Sequence, residues 1–148
     1  MIESAEKALL LTDLVGSTAL AESLGELQLA ELMARHDHLA RDLVAHSGGI
    51  EIDKSDGFLL LFDEVDRAVA FATGYHASLA ELARANGLVG RFSARAGIHV
   101  GPVTLRRNPA SDVQRGAKPL EVEGVAKAIA ARAMSVALGG QTLLTGAA

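Results

Sequence analysis

Apolar and polar positions along the chain divide it into segments with two periods. Leu9-Leu10-Leu11 is an unbroken apolar run, which predicts a strand buried on both faces. From Ser17 to Ser47 the period changes. Leu29, Leu32, Met33, His36, Leu39, Ala40, Leu43 and Val44 follow helical spacing, and Gly25 predicts a break. Gly48-Gly49 ends this helix. Ile50 to Asp53 alternates, Phe58 to Phe62 is apolar throughout, and Asp56-Gly57 between them reads as a hairpin turn. The second of these strands should be central. A helix follows over Asp63 to Ala85, with Val65, Ala68, Val69, Ala72, His76, Leu79 and Leu82 as its buried stripe. Phe92, Ala94, Ala96, Ile98 and Val100 alternate as a strand, Gly101-Pro102 predicts a turn, and Val103-Thr104-Leu105 starts back. Arg106 to Lys118 reads as a loop or arm, Gly124 to Ala137 as a short Ala-rich helix, and Gln141 to Thr145 as a last strand. The order predicts one α+β domain over residues 1–148, a largely antiparallel sheet with helices packed on one face.

Composition narrows this picture. Aromatic residues are 3% of the 148 positions and Trp is absent, so the core must be built from Leu, Val, Ile and Ala. There is no Cys, which excludes disulfides and thiolate chemistry. A net charge of −4 argues against broad nucleic-acid binding while leaving room for one local phosphate pocket. No apolar run approaches the ~18 residues of a membrane span, and Met1-Ile2-Glu3-Ser4 does not open a signal peptide, so a cytoplasmic location is expected.

Candidate chemistry collects where the first strand ends. Asp13 closes the apolar run, and Gly16, Ser17 and Thr18 open a helix directly after it. Backbone N–H groups at a helix start attract phosphate, and a carboxylate beside them can hold a cation that bridges to the same phosphate. The plainer reading is that Asp13 ends the strand and Ser17 or Thr18 caps the helix. Asp56 carries the same ambiguity, as a ligand or as a turn aspartate. His36 and His38 face different ways on their helix and make a poor metal pair. His36, on the apolar side, reads as a satisfied core or interface histidine.

Four segments, in order, resemble the class III adenylate and guanylate cyclase homology domain. They are Leu11-Thr12-Asp13-Leu14-Val15-Gly16-Ser17-Thr18, Ser55 to Phe62, Ala96-Gly97-Ile98-His99-Val100-Gly101-Pro102-Val103, and Gly124 to Arg132 with the strand Gly140 to Thr145. The resemblance covers nearly the whole chain and implies a ferredoxin-like βαββαβ core. It implies two divalent cations, Mg2+ or Mn2+, at Asp13, Leu14 and Asp56, and phosphates cradled by Val15, Gly16, Ser17 and Thr18. It implies a homodimer with composite sites, in which the partner subunit supplies an arginine at the position of Arg132. The chain stops soon after its last strand, where domains of this family continue, so a larger multidomain protein is expected.

Three positions depart from the family pattern. Ile52 stands where the family has a base-reading lysine, Glu121 where it has an aspartate, and Ala128 where it has an asparagine. Lys54, on the same strand face as Ile52 if the alternation holds, is a candidate replacement, or else a solvated surface lysine. The expected activity is conversion of a nucleoside triphosphate, ATP favoured, to a 3′,5′-cyclic nucleotide and pyrophosphate. The alternative is a catalytically weak or inactive homologue that binds nucleotide and dimerises as a regulatory module.

Overall fold

The computed structural model describes residues 1–55 and 57–148; Asp56, expected in the second metal position, lies outside the described residues. The strands are β1 (Ile2–Val15), β2 (Ile50–Lys54), β3 (Phe58–Phe62), β4 (Ser93–Arg107), β5 (Leu120–Glu123) and β6 (Thr142–Leu144). The helices are α1 (Ser17–Leu24), α2 (Glu26–Ser47), α3 (Val65–Ala85), α4 (Ala110–Gln114) and α5 (Val125–Ser135). They form an α+β fold around one sheet of order β2-β3-β1-β4-β5, with β6 pairing β4 in parallel and the other ladders antiparallel. No helix among the described residues is long and apolar enough to cross a membrane.

Strand parity separates two cores. Ala8 and Leu10 of β1, Phe58, Leu60 and Phe62 of β3, and Ala94, Ala96 and Ile98 of β4 face the long helices α2 and α3 together with α1. Leu9, Leu59, Leu61, Val103 and Leu105 face the other way and meet Ala126 and Ala130 of α5. Gly97 allows this second contact. A Cβ there would lie 2.3 Å from the Met134 amide nitrogen and 2.5 Å from the Ala130 carbonyl oxygen. The buried polar side chains Thr12, His36 and His99 each have a hydrogen-bond partner.

The expected break at Gly25 separates α1 from α2, at a φ of +81°. Elsewhere the sequence reading needs correction. Gly101-Pro102 makes no turn, because β4 runs straight through it and pairs with β1 from Val15↔Ser93 to Ile2↔Arg106. The proline is tolerated because β6 covers only residues 96–98 of β4's other side and β5 only 104–107, so Pro102 falls in the interval between them. Arg106 to Lys118 is not a loop throughout. Arg106 and Arg107 finish β4, α4 follows, and β5 was not anticipated at all. The first strand is also far longer than its apolar run. Residues 2–7 pair only with β4, whereas Ala8 to Leu11 lie between β3 and β4, so only the inner stretch needs to be apolar on both faces. The buried stripe of α3 is rotated from the expected one. Phe71 and Tyr75 are buried and Val69 is exposed, because the two aromatic rings set the phase of the packing.

Candidate functional site

The site begins where β1 loses a neighbour. The β1–β3 ladder ends at Leu11↔Leu59, and the next strand amide, Phe58 N–H, donates to the Thr12 hydroxyl at 2.9 Å. Gly57 then crosses against β1 so closely that a Cβ would fall 1.7 Å from the Thr12 carbonyl oxygen. The sheet therefore opens at Asp13, with the β2–β3 hairpin pressed beside it. Gly16 follows at φ +71°, the left-handed turn that glycine adopts without strain, and α1 starts at Ser17. Among the described residues no side chain caps α1, so neither Ser17 nor Thr18 serves as the cap that the plainer reading assigned to them. The first backbone N–H groups of α1 are left for solvent or an anion.

Asp13 is about one-third exposed and opens into a cleft of about 330 Å³, lined among others by Thr12, Asp53, Ser55, Gly57 and Lys127. Its carboxylate is not bare. Arg95, its cross-strand partner on β4, donates to Oδ2 at 2.9 Å and also to the Ser135 carbonyl oxygen at 3.0 Å. Arg95 thus ties the end of β1 to the last residue of α5. Sequence reasoning missed it, although its place on the polar parity of an alternating strand was a usable signal. Among the described residues no group of three or more His, Asp or Glu side chains could enclose a metal ion. The donors that are present still suit Mg2+ or Mn2+. Asp13 offers an oxygen-only ligand at an open cleft, and Mg2+ usually takes one or two carboxylates, keeps several waters and shares the rest with phosphate.

The positions that the resemblance aligns with a base-reading pair have a different geometry from that expected. A bulge in β2 places Glu51 opposite Leu60 and Asp53 opposite Leu59, leaving Ile52 as the extra residue. Ile52 is 5% exposed and belongs to the apolar cluster with Leu9, Leu59 and Val122. Because of the bulge, Lys54 does not share its face. Lys54 pairs with Phe58 in register, on the helix side, and its ammonium lies 3.3 Å from Asp37 of α2. The expectation that Lys54 stands beside Ile52 is thereby corrected, since one inserted residue reverses the parity. Glu121 lies on β5, where Asn108 donates to Oε2 at 3.1 Å and Lys118 approaches Oε1 at 3.3 Å. The Asn108 hydrogen bond, reinforced by Lys118, holds the Glu121 carboxyl below the usual range.

On α5, Arg132 is exposed and does not line the Asp13 cleft of its own chain, whereas Lys127 and Met134 do. Ala128 is exposed as well. Behind the cleft lies a buried polar network that was only half foreseen. His36 is 1% exposed, shares a hydrogen bond of 2.6 Å with the Tyr75 hydroxyl and one of 2.9 Å with Asp37. It is a satisfied core histidine, and burial pushes its pKa below the ordinary value.

Comparisons with known proteins give no matching family model and no matching curated protein. Solved structures do match. The adenylyl cyclase CyaB from P. aeruginosa superposes with a TM-score of 0.87 at 19% identity, over 99% of this chain and 79% of that one. The guanylate cyclase domain of RhGC from Catenaria anguillulae, solved in complex with GTP, gives 0.84 at 16% identity, over 98% and 81%. An adenylate cyclase from Trypanosoma brucei, described in its monomeric state, gives 0.80 at 25% identity, over 96% and 74%. The chain has the fold of adenylate and guanylate cyclase domains along almost its entire length.

Proposed function

We propose that this chain is a class III nucleotidyl cyclase domain that binds a nucleoside triphosphate, ATP favoured, and closes it to the 3′,5′-cyclic nucleotide with release of pyrophosphate. One observation carries the reading. A carboxylate, Asp13, stands near the end of a central strand in an open cleft, three residues before a glycine turn and a helix start without a side-chain cap among the described residues, within a cyclase fold. Asp13, the Leu14 carbonyl and Asp56 would hold two divalent cations. When bound, these ions would lower the charge on the polyphosphate and favour attack by the ribose 3′-hydroxyl.

The chain's own groups have separate tasks in this reading. The N–H groups of Val15 to Thr18 receive the phosphates, aided by the positive end of the helix. Arg95 must release Asp13 Oδ2, or share it, when ligand enters, and its guanidinium then stays within reach of the incoming negative charge. Arg132, exposed on α5 and outside its own chain's cleft, serves the partner's site in a homodimer with composite sites. A donor aimed at the charge that develops during transfer is worth a factor of about 10² to 10³ in rate.

The test is a product assay with all four nucleoside triphosphates and Mn2+. Cyclic AMP formation above that of other products is expected, and its loss in Asp13→Asn at unchanged melting temperature. A second reading rests on Ile52 and Ala128, which supply no hydrogen bond to a base or a ribose. In that reading the domain binds nucleotide and dimerises as a regulatory module. Tight, metal-dependent nucleotide binding without cyclic product would establish it.

A further inference from the structure

We propose that Lys118 is the specificity-determining donor of the base pocket, delivered from the β4–β5 connection in place of the strand residue that Ile52 does not provide. The inference rests on the nucleotide-binding function proposed above and deepens it. The β2 and β5 edges of the sheet curl toward one another, and Lys118 sits between them. Its ammonium is 3.3 Å from Glu121 Oε1 on β5 and 3.8 Å from Asp53 Oδ1 on β2. Asp53 follows Ile52 in the bulge and pairs opposite Leu59, on the same apolar side as Ile52. The positive charge thus occupies the interval between the neighbour of Ile52 and the carboxylate of Glu121.

The surroundings suit a reading site better than a plain surface ion pair. Asn108 is fully committed. Its amide donates to the Lys118 carbonyl at 2.6 Å and to Glu121 Oε2 at 3.1 Å, and its Oδ1 accepts from Arg106. It fixes both the backbone that carries Lys118 and the carboxylate that Lys118 approaches. Among the described residues the ammonium makes two ion-pair contacts, neither shorter than 3.3 Å, and it is 38% exposed, so its N–H groups can turn to an entering acceptor. A purine edge presents a ring nitrogen or carbonyl acceptor beside an amino or ring N–H donor. Lys118 can donate to the first and Glu121 can accept from the second. Glu121 alone could read only the donor.

Calorimetry in Mn2+ separates this from phosphate electrostatics. The titrants are ATP with a methylene group between its α and β phosphorus atoms, which cannot be cyclised, and inorganic tripolyphosphate. Lys118→Met is expected to weaken the nucleotide about tenfold or more and to leave tripolyphosphate unchanged. Lys118→Arg should retain most of the nucleotide affinity. Equal losses for both titrants would overturn the inference, because Lys118 would then act on phosphate charge. So would unchanged binding of both, which would leave Lys118 as a clasp between two strands. If the wild-type chain binds tripolyphosphate but gains nothing from the nucleoside, the inference falls while the phosphate site stands. If it binds neither, the nucleotide reading itself falls.

Discussion

His36 shows how one side chain ties stability to pH. Burial lowers its folded pKa from an unfolded value of 6.5, against the opposing pull of Asp37, while Lys54 pushes the same way as burial. The unfolded chain therefore binds the extra proton first as the solution is acidified. The contribution of His36 is complete above about pH 6.5 and drains away as pH falls toward its folded pKa. His76, also lowered by burial, adds in the same direction. Thermal melts from pH 7.5 to 5.5 should show a falling midpoint. His36→Gln should melt lower at neutral pH, having lost its ring contacts with Phe58 and Phe92, but with a shallower pH slope. An unchanged slope would mean that His36 has the same proton affinity in the folded and unfolded chain.

Elements were legible where one rule decided them. The helical stripe from Leu29 to Val44, the stop at Gly48 and the apolar run Phe58 to Phe62 each appear as read. The reading failed where two rules competed. Gly101-Pro102 carries a turn signature, yet its partner β1 continues past it, and long-range pairing prevails over local preference. Residues 120–123 alternate too briefly to announce β5, which exists because β4 offers it an edge. At the site, Asp13 and the Gly16 turn were readable as a local cluster. Arg95 offered only its polar parity and Lys118 offered no signal, because each acquires its meaning from a partner on another strand. Element packing gives its own prediction. Gly97→Ala would drive a methyl group into the backbone of α5. The displaced helix should cost about 1–3 kcal/mol by denaturant titration. Because α5 carries Arg132 and receives Arg95 at Ser135, activity should fall further than stability alone explains. Equal stability of the variant and the parent would show that the helix moves freely over the sheet.

For the whole molecule, the composite-site proposal makes a mixing experiment decisive. Asp13→Ala and Arg132→Ala should each be inactive alone. Combined in equal amounts, they should regain about a quarter of wild-type activity, since half the dimers are mixed and one of their two sites is intact. No recovery, with mixed dimers demonstrated by sedimentation, would refute the exchange of Arg132 between subunits. The long β1–β4 ladder has a further consequence, for the order in which the chain can fold. Its register joins Val15 to Ser93 and Ile2 to Arg106, so the sheet's first strand waits for the fourth of its six strands. Pairing of such sequence separation is slow to form, since a large loop must close before any contact rewards it. During synthesis β3 can meet Ala8 to Leu11 early, but the other edge of that apolar stretch stays open until β4 leaves the ribosome. The inner stretch of β1, Ala8 to Leu11, therefore needs protection while the protein is being made.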